Sequence, residues 1–345
     1  MRLLLALLLS GCAHVAGQHL PPDAQRHRAT TDDGIEIERT RYLPKGEARG
    51  LPVVLCHGIS ANARNMDLDE RVSMARWFAA QGREAWTMSL RATGASTDPK
   101  GPVSFDDYWR HDLPAVLAYV KRTSGVAQVD YVGHSMGGLV LYAYLSQGGQ
   151  GVRTAATMGS PTRIDYGSTI ESVINDFGIR IVSPSGALPT SLGARLVAPL
   201  EPLVDDGPVE RFFYNPQSTS SDSFHRLLLY GTADVAGGVA LQLSTMMKTG
   251  EFLSFDKRIN YREDMAKVTT PTLVVAARMD RIALTPAVKD GYRALGGPKE
   301  WLLITRANGT RGEYGHMDLV IGDRAADEVW SKVLNFFDRH ARKEP

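Results

Sequence analysis

Short apolar runs alternate with segments of helical periodicity on both sides of one long interruption, and this rhythm constrains the fold of the 345-residue chain more than any other feature. Residues 34–40, Gly-Ile-Glu-Ile-Glu-Arg-Thr, alternate apolar and polar and predict a half-exposed strand. Residues 52–56, 85–90, 129–132 and 154–159 predict further strands. Between them, Leu68, Val72, Ala75, Trp77, Phe78 and Ala79 fall on one helical face that Gly82 ends. Ser104 is expected to cap a helix running to Val120, with Asp107 at its third position and a kink at Pro114. Residues 139–145 predict another helix. The pattern resumes with a strand at 272–277, a helix at 286–295, a strand at 301–304 and an amphipathic closing helix at 327–340. Such alternation predicts an α/β fold, with a mostly parallel central sheet and helices on both faces.

From 162 to 267 the rhythm breaks, and Pro184, Pro189, Pro199, Pro202, Pro208 and Pro216 punctuate short apolar stretches. We expect this segment to be a helical cap inserted into one α/β core made of residues 31–161 and 268–345. A composition 43% hydrophobic and 22% charged is that of an ordinary globular protein, and a formal net charge of +1 argues against a nucleic-acid partner.

The first residues carry a separate message. Arg2 followed by the leucine-rich run 3–9 has the form of an export signal, too short to span a bilayer. The next residues, Leu9-Ser10-Gly11-Cys12, resemble the lipobox of bacterial lipoproteins. That resemblance implies removal of residues 1–11, acylation of Cys12, a tether over 12–30, and a membrane-anchored place in the bacterial envelope, at the outer membrane. More than one acyl chain is needed for durable anchoring, which such a modification supplies. Cys56 then has no disulfide partner and is expected to be a small core residue. No Cys/His spacing suits zinc, so neither a metal nor another cofactor is expected.

Gly133-His134-Ser135-Met136-Gly137 is a Gly-x-Ser-x-Gly pattern, weak alone but placed here between a strand and a helix. A sharp strand-to-helix turn projects the serine hydroxyl and sets it at a helix N-terminus, where developing negative charge is favoured. A serine hydroxyl needs a histidine to take its proton and a carboxylate to orient that histidine. In sheets with such a turn the order is Ser, carboxylate, His. Asp280 follows the 272–277 strand at its carboxyl end, and His316 lies in the loop before the closing helix. The second requirement is a pair of N–H donors for an oxyanion, assigned to the backbone of Met136 and of Ile59, with Gly58 permitting the turn. His57 is then structural.

The chain resembles the α/β-hydrolase superfamily, and more narrowly is similar to its acid-lipase branch. The resemblance runs through 54–58 with Asn62 and Asn65, Ser104 to Asp107, 111–115, 131–135, 261–271 and Gly315 to Leu319. It implies a lipase or carboxylesterase with a lid-like cap, the triad Ser135, Asp280 and His316, and a small acyl ester as substrate. Met136 stands where that branch usually has Gln. Two other readings are an acyltransferase or amidase using the same triad, and a non-catalytic surface lipoprotein that keeps the fold.

Overall fold

The computed structural model describes residues 24–164, 186–199, 207 and 210–341. Its centre is an eight-stranded sheet. The strands in it are β1 (Ala24–Thr30), β2 (Glu36–Tyr42), β3 (Val53–Cys56), β4 (Ala85–Met88), β5 (Val129–His134), β6 (Val152–Met158), β9 (Thr272–Ala277) and β10 (Lys299–Ile304). They lie in the order β1-β2-β4-β3-β5-β6-β9-β10. The β1–β2 and β2–β4 pairs are antiparallel and the others parallel, so the expected α/β fold is the observed one.

The near-continuous apolar runs of the central strands follow from burial on both faces. In β3, Val54 and Cys56 enter one apolar cluster with Tyr131, Leu139 and Tyr142. Val53 and Leu55 enter the opposite one with Phe78, Val132 and Phe337. Helices cover each face: α1 (Met74–Ala80), α2 (Leu113–Ser124), α3 (Met136–Ser146), α6 (Thr285–Ala294) and α7 (Ser331–Ala341), with α4 (Thr190–Val197) and α5 (Gly237–Thr249) in the intervening segment.

Four expectations are corrected. Residues 24–30, expected as tether, are an edge strand whose backbone pairs with β2 from Ala24↔Tyr42 to Thr30↔Glu36; its polar side chains hid it, because pairing is a main-chain property. The helix expected from Leu68 begins only at Met74, where the Ser73 hydroxyl accepts from the Arg76 N–H. The helix expected from Ser104 to Val120 is broken at Tyr108–Asp112 by a wide turn in which the Leu113 N–H reaches the Tyr108 carbonyl. That turn sits just before Pro114, which has no N–H to offer the regular ladder. The intervening segment is not helical alone, since β7 (Ala187–Leu188) and β8 (Val235–Ala236) pair antiparallel within it.

The pairing of β6 with β9 joins the two flanks of that segment in one sheet. Its described parts are tied to the core through Asp106, whose carboxylate accepts from Gln242 Nε2 at 2.7 Å, Tyr261 Oη at 2.8 Å and the Phe255 N–H at 2.9 Å. Cys56 is buried and unpaired, and burial pushes its thiol up to about 12. Cys12 lies outside the described residues. No described helix is long and apolar enough to cross a membrane.

Candidate active site

Strand β5 delivers His134 and Ser135 to the carboxyl edge of the sheet, and α3 starts at Met136. Between them Ser135 takes φ 53° and ψ −119°, a strained conformation for a residue with a side chain. Its N–H is held by the Met158 carbonyl at 2.8 Å. The flanking glycines are required by contact. A Cβ on Gly133 would lie 2.5 Å from the Gly137 backbone, and one on Gly137 would lie 2.5 Å from the Cys56 carbonyl oxygen.

Asp280 follows β9, and its Oδ1 accepts the N–H groups of Ile282 at 2.8 Å and Ala283 at 2.6 Å. The other oxygen, Oδ2, accepts from His316 Nδ1 at 2.8 Å, with both side chains buried. The aspartate therefore holds the imidazole in the tautomer whose Nε2 can receive a proton. Gly159, at φ 58°, is the floor beneath this pair, since a Cβ there would be 3.2 Å from both Asp280 Oδ2 and His316 Nδ1.

A cavity of about 290 Å³ opens at Ser135. Ile59 and Met136, the expected oxyanion donors, both line it. Gly58 brings the first loop against the serine, as its Cβ would stand 3.0 Å from Ser135 Cβ. Beyond these residues the walls are mostly apolar, including Leu139, Ile164, Leu188, Val235, Leu243 and Met247, with Ser60, Thr190 and Ser244 as the polar exceptions. Of the apolar stretches in the intervening segment, Met247 faces this cavity, whereas Tyr214 and Leu227 are packed into the core beside Phe224.

His57 is structural as expected: its Nε2 accepts the Leu90 N–H at 3.1 Å, so Nδ1 donates to the Gly58 carbonyl at 2.7 Å. Burial pushes its pKa down to about 4, which keeps it neutral. Two residues of the site escaped the sequence reading. His134 Nε2 donates to the His316 carbonyl at 3.2 Å, its ring centroid lies 4.6 Å from that of His316, and burial holds it well below the usual histidine range. Asp318 is fully buried and accepts from the backbone N–H groups of Gly315 and Asn215 and from Thr219 Oγ1. The signal was present in both cases, as polar residues inside otherwise apolar or glycine-rich motifs.

Asp32, Asp33 and His111 are close enough to share a metal ion. The set is already satisfied: Arg91 donates to both oxygens of Asp33, and His111 Nδ1 is 2.6 Å from Asp32.

The family described as "alpha/beta hydrolase fold" matches residues 52–305. Among curated proteins, Lipase 3 of Drosophila melanogaster is 29% identical over 170 residues, 41% of this chain and 41% of the relative. Gastric triacylglycerol lipase of Homo sapiens is 32% identical over 128 residues, 33% and 32% of the two chains. The chain thus spans less than half the length of the curated relatives it matches. Among solved structures, a thermophilic esterase from Thermogutta terrifontis superposes with a TM-score of 0.59 at 16% identity, covering 92% of this chain and 99% of that one. A bacterial membrane phospholipase A superposes with a TM-score of 0.57 at 16% identity, covering 99% and 92%.

Proposed function

Because the chain belongs to the alpha/beta hydrolase fold family and has lipase relatives, we propose that it is a serine carboxylester hydrolase working through an acyl-enzyme on Ser135. The observation that carries this reading is a strained serine lining an apolar cavity, next in the chain to His134, whose ring lies 4.6 Å from that of His316 in the buried Asp280–His316 pair. Ser135 Oγ attacks the ester carbonyl carbon while His316 Nε2 takes its proton, and Asp280 stabilises the imidazolium. The N–H groups of Ile59 and Met136 receive the oxyanion. Collapse of the adduct breaks the ester bond, and the imidazolium returns its proton to the departing alcohol. Water then repeats the sequence on the acyl-enzyme, releasing the acid and restoring Ser135.

The apolar walls support an acyl chain as the group bound beside Ser135. We also read the segment 162–267 as a cap over that cavity, and Cys12 as the site of a lipid anchor that holds the domain at a bacterial envelope membrane.

A fluorophosphonate probe should label the wild-type protein and spare Ser135→Ala, whose turnover of p-nitrophenyl esters should fall by about 10³-fold or more. A well-folded wild-type protein that resists the probe would refute the reading. Turnover of esters that is insensitive to added alcohols, with no turnover of matching anilides, separates hydrolysis from acyl transfer and from amide cleavage.

A further inference from the structure

The catalytic role of His316 rests on the Proposed function above, but the residue is held by more than its contact with Asp280. On one side of it, the Gly315 N–H donates to Asp318 Oδ2. On the other, its own carbonyl accepts from His134 Nε2 at 3.2 Å. Both contacts act on the backbone, so they set where the imidazole stands without competing for its nitrogens. Both partners are buried, with Asp318 fully so.

We propose that His134 and Asp318 are positioning residues that clamp the backbone carrying the His316 imidazole from its two sides. The clamp reaches further on the Asp318 side. The same carboxylate accepts from the Asn215 N–H at 2.8 Å and from Thr219 Oγ1, and the Met317 N–H reaches the Phe213 carbonyl at 2.9 Å. Asn215 Nδ2 and Ser218 Oγ in turn donate to the Glu313 carbonyl, at 2.6 and 2.7 Å. The histidine loop is thereby sewn to residues 213–219. On the other side, His134 is the immediate neighbour of Ser135, so the turn that presents the nucleophile also presses on the histidine. Its Nδ1 has no partner among the described residues, which leaves the donor at Nε2 as its working contact.

The two contacts can be removed or kept by choice of substitution. Gln at position 134 retains an N–H where the imidazole has Nε2, whereas Leu does not. Asn at position 318 keeps an oxygen for the two backbone N–H groups and turns its amide to Thr219, whereas Leu offers nothing. In the full-length protein, His134→Leu and Asp318→Leu should lower kcat on p-nitrophenyl butyrate about tenfold to a hundredfold, because a displacement near 1 Å of a catalytic group costs that much. KM should stay within about twofold, since the acyl cavity is untouched. His134→Gln and Asp318→Asn should keep kcat within about threefold of wild type.

The proposal is overturned if the leucine variants melt earlier yet keep wild-type kcat below their melting points, or lose kcat only together with a matching rise in KM, or if the conservative variants lose as much kcat as the leucine ones. Should a leucine variant not fold, His134→Asn, too short to reach the carbonyl, or Asp318→Ser takes its place with the same outcomes. Fluorophosphonate labelling keeps the two readings apart: all positioning variants should label, more slowly, whereas labelling of Ser135→Ala would refute the triad itself and leave the clamp without a function.

Discussion

At the scale of single residues, the site is governed by how closely backbone segments approach one another. Gly137 lies against the end of β3, where an added Cβ would meet the carbonyl oxygens of Cys56 at 2.5 Å and His57 at 2.7 Å. Neither carbonyl can yield without moving β3, so Gly137→Ala should destabilise the fold by about 1–3 kcal/mol and disturb the loop that runs from Cys56 to Ile59 as well. Chemical denaturation and ester turnover measured together check this; an unchanged denaturation midpoint would contradict it. His57 gives a prediction in pH. It is neutral in the fold, with its pKa pushed down to about 4 by burial, while an unfolded histidine titrates near 6.5. Above about pH 6.5 both states are neutral and the contribution of His57 to stability is whole. As pH falls from there towards about 4, the unfolded chain binds a proton that the fold refuses, and stability drops by on the order of 1.4 kcal/mol per pH unit. Denaturation midpoints at pH 7 and pH 5 should therefore separate more for wild type than for His57→Gln; equal separation would assign the acid sensitivity elsewhere.

At the scale of elements, the wide turn at Tyr108–Asp112 does more than accommodate Pro114. It carries the buried Asp112 carboxylate, which accepts from Arg91 Nε at 2.7 Å and from the Arg91 N–H at 2.8 Å. Arg91 is buried too, and its remaining nitrogens go to Asp33, so the turn, the loop after β4 and the β1–β2 connection are joined through one guanidinium. Removing one partner of a buried pair leaves the other charge uncompensated. Asp112→Ala should accordingly cost about 3 kcal/mol, towards the low end for such pairs because Asp33 remains. A loss under about 1 kcal/mol in urea unfolding would show that Asp33 alone suffices. Helix periodicity predicted the existence of this element but not its break, since a π-type turn leaves no mark on an apolar pattern that repeats every three or four residues.

At the scale of the whole molecule, the sheet closes over an insertion, and the proposed anchor at Cys12 is open to a direct test. Cys12→Ser should move the protein from the membrane fraction of a bacterial host to the soluble envelope fraction, because export alone confers no lasting hold on a bilayer; unchanged fractionation would remove the anchor from the proposal. Local chemistry is the part of this fold that the chain writes in its residues. Apolar runs in the strands require burial on two faces, and Gly133-His134-Ser135-Met136-Gly137 requires a tight turn. The pairing of Asp280 with His316 was legible because the first stands just beyond the 272–277 strand and the second lies in the loop ahead of the closing helix. Tertiary structure alone decided the rest. The strand at Ala24–Thr30 exists through main-chain pairing with β2, to which its polar side chains give no clue. The apolar cavity draws on Ile59, Leu139 and Leu243, residues far apart in the chain whose convergence no spacing records. The contacts of His134 and Asp318 with the His316 loop are hydrogen bonds to main-chain groups, and these form only once the strands have set the loops a few ångströms apart.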